Sequence, residues 1–213
     1  MTKTSESSSA LPLAGSVALA FVLWYVSFLP DFGNFWIKIS ASAMLLGVFA
    51  LRNGAGPSAW GGFRGRDFLW GLILAAALYG IFSLGFLITT KLFSFAPAQV
   101  QGIYARGNGT PVWIVCLTIV LVTGPCEEIF WRGFVQGELS RRLGRAGGYV
   151  AATLAYTAIH ISTGNFMLVG AAGVAGAFWG LWYAVTGRMV PLIVSHAVWS
   201  VVIFAVLPIG ARI

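Results

Sequence analysis

Residues 111–143 read PVWIVCLTIVLVTGPCEEIFWRGFVQGELSRRL, and this stretch decides the fold. Residues 111–126 carry no charge, and apolar side chains resume directly after the two glutamates that follow. A helix of about 20 such residues is about 30 Å long, the thickness of the hydrocarbon core of a bilayer. The rest of the chain has the same character. Of its 213 residues 58% are hydrophobic, 15% aromatic and 9% charged, where an ordinary soluble domain is about a quarter charged. Soluble, disordered and disulfide-scaffold classes are thereby excluded. The net charge of +7 falls between apolar stretches and is not interleaved with aromatics on a polar face, so no nucleic-acid partner is expected.

Seven apolar segments emerge: Leu11–Leu29, Phe35–Leu51, Phe68–Thr90, the stretch from Pro111 to Leu143, Gly148–Ile161, Phe166–Val185 and Val190–Leu207. Residues 91–106 leave room for an eighth segment or one lying along the interface. The expectation is an all-α, polytopic transmembrane bundle of about seven spans. It forms a single domain over 11–213, preceded by a disordered polar tail at 1–10. Leu11–Leu29 is about as long as a span and lacks an A-x-A-like site after it, so it reads as a span and not a secretory signal.

Positive charge sets the orientation. With a cytoplasmic N-terminus the inner segments hold Lys3, Arg52, Arg64, Arg66, Arg132, Arg141, Arg142, Arg145 and Arg188, and the outer side keeps Lys38, Lys91, Arg106 and Arg212. Nine against four favours that arrangement, in a cell membrane. Ordinary positive-inside charge accounts for Arg141, Arg142 and Arg145; the alternative is a rim that receives an acidic or carboxylate-bearing tail.

Ionisable groups inside spans cost about 2.5–3.5 kcal/mol each on insertion scales, so each needs a partner or a task. Glu128 and Arg132 stand at i and i+4, acid first, the better order for a pair. Glu127 sits about 100° further round and has Trp131 where a cation would be needed. It must accept hydrogen bonds from another helix or take up a proton. A carboxylate in that state beside water is suited to general-base work. Pro125 cannot donate to the carbonyl of Leu121, and a kink there would open room for water.

The only two histidines are His160, in AYTAIHIST, and His196, in VPLIVSHAVWSVV. Each has a hydroxyl residue one turn away, Tyr156 and Ser200, as a possible partner. Straight helices would place His160 about 10 Å further out than Glu127 and His196. Cys116 and Cys126 read as small packing residues. Glu6, Asp31 and Asp67 fall in the tail and loops, and Glu138 at a rim.

With those residues in hand the sequence resembles the CPBP family of intramembrane endopeptidases, the CAAX-protease and bacteriocin-processing enzymes also called Abi proteins. The family's E-E-x-x-x-R motif is present as Glu127, Glu128 and Arg132. Its F-x-x-x-H motif appears from Tyr156 to His160 with Tyr for Phe, and H-x-x-x-N from His196 to Ser200 with Ser for Asn. The likeness covers about residues 111–207. It implies a glutamate-dependent protease acting on a membrane-anchored peptide or protein. Glu127 would be the base that activates water, assisted by His160. His196 and Ser200 would stabilise the oxyanion, with Glu128 and Arg132 orienting the site.

No cofactor is required by that scheme. The alternative is a Zn²⁺ enzyme with Glu127, His160 and His196 as ligands, since His₂-carboxylate sets suit zinc. The absence of a His pair at i, i+4 favours the metal-free version. Two other functions use the same groups. A proton-coupled transporter would show paired repeats or broken helices in both halves, whereas the polar groups here crowd the C-terminal half. A catalytically idle adaptor would tolerate Ser200 in place of Asn.

Overall fold

The computed structural model describes residues 10–29, 32–56, 60–107 and 109–210. Except for Ala10, the expected disordered tail lies outside them, as do Asp31 and Arg212. The described chain is all helical. α1 spans Ala10–Phe28, α2 Phe35–Arg52, α3 Arg66–Leu92 and α4 Ala96–Tyr104. α5 covers residues 112–143 and α6 residues 145–159, followed by a 3₁₀ turn over His160–Thr163. α7 spans Phe166–Thr186, and α8 starts at Val190–Val201 and runs on through Val202–Val206.

The expected segments and these helices coincide within a few residues. At nine residues α4 is too short to cross a bilayer, so 91–106 holds no eighth span. Among the described residues four stretches are both long and apolar enough to cross: Phe35–Arg52, Arg66–Leu92, Val112–Thr163 and Phe166–Thr186. Pro12–Phe28 and Val190–Val206 are apolar and slightly shorter.

Local chemistry sets the ends. Asn34 caps α2 by accepting from the N–H of Trp36 (2.8 Å) and Ile37 (3.3 Å). Asn165 does the same for α7 through Leu168 N–H at 2.9 Å. Between α5 and α6 the chain turns at Gly144, with φ 73° and ψ 168°. Only glycine adopts that region without strain, so one residue separates two spans.

The exterior is apolar. Leu84, Leu87, Leu121, Leu154 and Val185 are each more than half exposed. In water this would be an aggregation surface; facing lipid it costs nothing. Between helices small residues are buried alongside large aromatics such as Trp24 and Trp179, the small ones as membrane packing favours. Ala20, Ala43 and Ala50 are fully buried. A Cβ on Gly71 would lie 2.4 Å from Val194 Cγ1, so only glycine lets α3 and α8 approach so closely. Together these features make an all-α membrane bundle.

Candidate active site

α5 stays helical through Pro125. It widens, with π-helical turns over Ile119–Thr123 and Ile129–Gln136 on either side of Gly124–Glu128. Gly124 N–H reaches back to Ile119 O, the i→i−5 bond of a π turn. The missing donor of Pro125 is thus absorbed over a turn, and both glutamates stay helical.

Glu128 is fully buried and Arg132 is 2% exposed. Arg132 Nη1 donates to Glu128 Oε1 at 3.0 Å, the pair expected from spacing. The same oxygen lies 2.7 Å from His196 Nδ1. Facing a carboxylate oxygen, Nδ1 carries the proton and donates, which holds the imidazole in one orientation. His196 Nε2 makes no hydrogen bond among the described residues, and the residue lines a cavity. Trp179 stacks on the imidazole at 4.3 Å, and its indole N–H donates to Ser195 Oγ at 3.1 Å. Arg132 lies between two ring faces, 5.0 Å from Tyr156 and 5.4 Å from Trp179.

Glu127 has none of this support. Its single hydrogen bond among the described residues comes from Tyr156 O–H, to Oε2 at 3.3 Å. It lines a cavity of about 150 Å³ together with Tyr156, His160, His196 and Ser200. The six residues singled out by sequence therefore converge: Glu127, His160, His196 and Ser200 at the cavity, Glu128 and Arg132 directly behind it. His160, in the 3₁₀ turn after α6, lines the cavity despite the offset expected for straight helices.

Other expectations change. Tyr156 O–H bonds Glu127, not His160; the partner of His160 Nδ1 is the Tyr156 carbonyl at 2.8 Å. His160 Nε2 accepts from the indole N–H of Trp24 at 3.1 Å. With a carbonyl at one nitrogen and a donor at the other, this ring is neutral and protonated at Nδ1. No hydrogen bond joins His160 to Glu127 among the described residues. Ser200 O–H has no partner among them either, so the hydroxyl of each expected pair is used elsewhere or left open.

Trp24 and Trp179 had no sequence signal. Trp24 lies 136 residues from its partner, on a helix with no acidic, basic or histidine residue. Asp67, read as a loop acid, is fully buried at the start of α3 and ion-paired to Arg188, with Nε–Oδ1 at 3.0 Å. Glu138 is also buried, and Arg141 and Arg142 both bond to it. Cys116 and Cys126 are free thiols.

The donor set bears on a metal. Among the described residues no three His, Cys, Asp or Glu side chains are arranged to hold one. The lone pair of His160 that would ligate is occupied by Trp24.

Residues 108–202 match the family model for Rce1-like type II CAAX prenyl endopeptidases. They form an Rce1-like domain of the CPBP family. The matched region begins at the mouth of α5 and ends in α8, so it contains all six site residues. No curated protein and no solved structure matches the chain. The Rce1-like assignment supports intramembrane protease activity in general.

Proposed function

We propose that this chain is an endopeptidase of the cell membrane that hydrolyses one peptide bond in a membrane-anchored peptide or protein. Glu127 acts as its general base, and no bound metal takes part. The observation that carries the reading is the contrast between adjacent carboxylates. Glu128 is held by Arg132 and His196, whereas Glu127 faces a cavity with one long hydrogen bond.

Peptide hydrolysis needs a base beside the attacking water and donors where negative charge develops. In this scheme a water in the cavity gives a proton to Glu127 as its oxygen attacks the scissile carbonyl. His196 Nε2–H and Ser200 O–H donate to the resulting oxyanion. Collapse breaks the C–N bond, and Glu127 returns its proton to the departing amine. This role places a proton on each ring nitrogen of His196, one bonded to Glu128 and one facing the oxyanion. Neutral His160 shapes the wall beside Tyr156. The metal-free version is supported by the chemistry of the donors, with His160 already committed to Trp24 and Tyr156.

Glu127→Gln keeps shape and the bond from Tyr156 but removes the base. We expect cleavage of a membrane-anchored substrate to fall by about 10²–10⁴, with insertion and thermal unfolding unchanged. Unaltered cleavage would remove Glu127 from the role. A membrane-permeant chelator should leave activity intact; its loss, restored by Zn²⁺, would replace the metal-free version. Substrate trapping with Glu127→Gln then identifies the cleaved partner.

A further inference from the structure

We infer that the cavity opens on the extracytoplasmic side, and that the scissile segment reaches Glu127 from there. This rests on the protease reading for its substrate, though not for its geometry.

The first observation is the direction of the cavity. Its outer lining comes from Phe28 at the end of α1, Phe35 at the start of α2, Leu168 near the start of α7 and Phe204 near the end of α8. All four lie at one end of the bundle. Two further cavities, about 370 and 310 Å³, occupy that same end beside α4 and share Phe204 with the first. The other end is packed shut. Inward of Glu128, Phe130, Val135, Met189 and Leu192 are completely buried. Gln136 Nε2 donates to Gly180 O at 2.8 Å, binding α5 to α7. Below them Arg188 closes the floor, paired with Asp67 and donating to Gly61 O (3.2 Å) and Gly62 O (3.1 Å).

The second observation is charge. The sealed end carries Arg52, Arg64, Arg66, Arg141, Arg142, Arg145 and Arg188. Among the described residues the open end carries Lys38, Lys91 and Arg106. Two of these are turned onto carbonyls at the end of α1: Lys38 on Leu29 O, and Arg106 on Phe28 O at 2.8 Å. Arginine-rich short loops stay in the cytoplasm. The sealed floor is then cytoplasmic and the mouth faces away from it. The fitting substrate class is a peptide segment at the extracytoplasmic surface, such as a translocated leader or the outer flank of a membrane anchor. A lipidated tail displayed in the cytosol does not fit.

The test is thiol accessibility with a small membrane-impermeant methanethiosulfonate, using the parent chain with Cys116 and Cys126 as background. Lys91→Cys marks the open end, Arg145→Cys the sealed end and Ser200→Cys the cavity. We expect Lys91→Cys and Ser200→Cys to react in intact cells or spheroplasts. Arg145→Cys should show no labelling until the membrane is permeabilised. Labelling of Arg145→Cys from outside with Lys91→Cys protected would overturn the orientation. Ser200→Cys protected while Lys91→Cys reacts would overturn the open cavity. Labelling needs no catalysis and should be unchanged in Glu127→Gln. An inactive but correctly labelled chain would thus refute the protease reading alone, and reversed labelling the sidedness alone.

Discussion

The two histidines of the cavity stand in opposite electrostatic settings. His196 belongs to a charged wall built by α5, α7 and α8, with Glu128 and Arg132 on one side and the Trp179 ring on its face. His160 belongs to a neutral wall built by α1 and α6, with a carbonyl at one nitrogen and an indole N–H at the other. One ring keeps a nitrogen for chemistry and the other has both committed. Residue type and apolar setting are the same; the two rings differ in the partners that the surrounding helices supply.

Breaking the charged wall should have the largest effect. Arg132→Met leaves Glu128 buried with only His196 as counter-ion, and removing one partner of a buried pair costs about 3–5 kcal/mol. We expect lower thermal unfolding temperatures in detergent and little active enzyme. Adding Glu128→Gln to that variant should recover stability without recovering activity. If the double variant is no more stable than Arg132→Met, the burial of Glu128 is not what Arg132 offsets.

The next effect is catalytic. His196→Gln removes the cationic donor proposed for the oxyanion, worth about 10²–10³ in turnover where such donors have been deleted. His160→Gln should cost much less, because it alters a wall without removing a transition-state donor. Equal losses in purified, folded proteins would erase the distinction between the two walls.

How far the sequence revealed this is uneven, for physical reasons. Span positions were legible because lipid imposes a composition that water does not. The Glu128–Arg132 pair was legible because a helix brings i and i+4 together. Convergence of three motifs at one cavity was suggested by resemblance alone. The π-helical turns of α5 on either side of the glutamates leave no mark in spacing. Trp24 and Trp179 were invisible because their partners lie on other helices, and an apolar helix that carries a tryptophan looks like any lipid-facing one. Asp67 was misjudged for a related reason: its partner, Arg188, is 121 residues away and was counted only as positive-inside charge.

On the neutral wall, Trp24→Phe should act mainly through stability. It removes the donor to His160 Nε2 and leaves a buried acceptor unpaired, at a cost of about 1–3 kcal/mol. It also releases the lone pair that occupies the ligating position. We therefore expect the variant, and not the parent chain, to gain sensitivity to added Zn²⁺ in its unfolding temperature. A parent chain equally stabilised by Zn²⁺ would mean that Trp24 is no obstacle to a metal.

The smallest expected effect tests where the charged wall ends. Ser200 lies one turn beyond His196, is buried, lines the cavity and has no hydrogen-bond partner among the described residues. Its hydroxyl can therefore turn toward an oxyanion without first breaking another bond. A neutral donor contributes about 0.5–1.5 kcal/mol, so Ser200→Ala should lower turnover about two- to tenfold, with stability nearly unchanged. Ser200→Asn supplies a longer donor in a cavity of only about 150 Å³, so its gain in reach competes with crowding against the substrate. The split between kcat and KM decides between them: a raised kcat means the amide reaches the oxyanion, and a raised KM alone means it only narrows the entrance. Should Ser200→Ala match Glu127→Gln in severity, a neutral hydroxyl would be carrying a charged group's share, and the division into two walls would fail at its boundary.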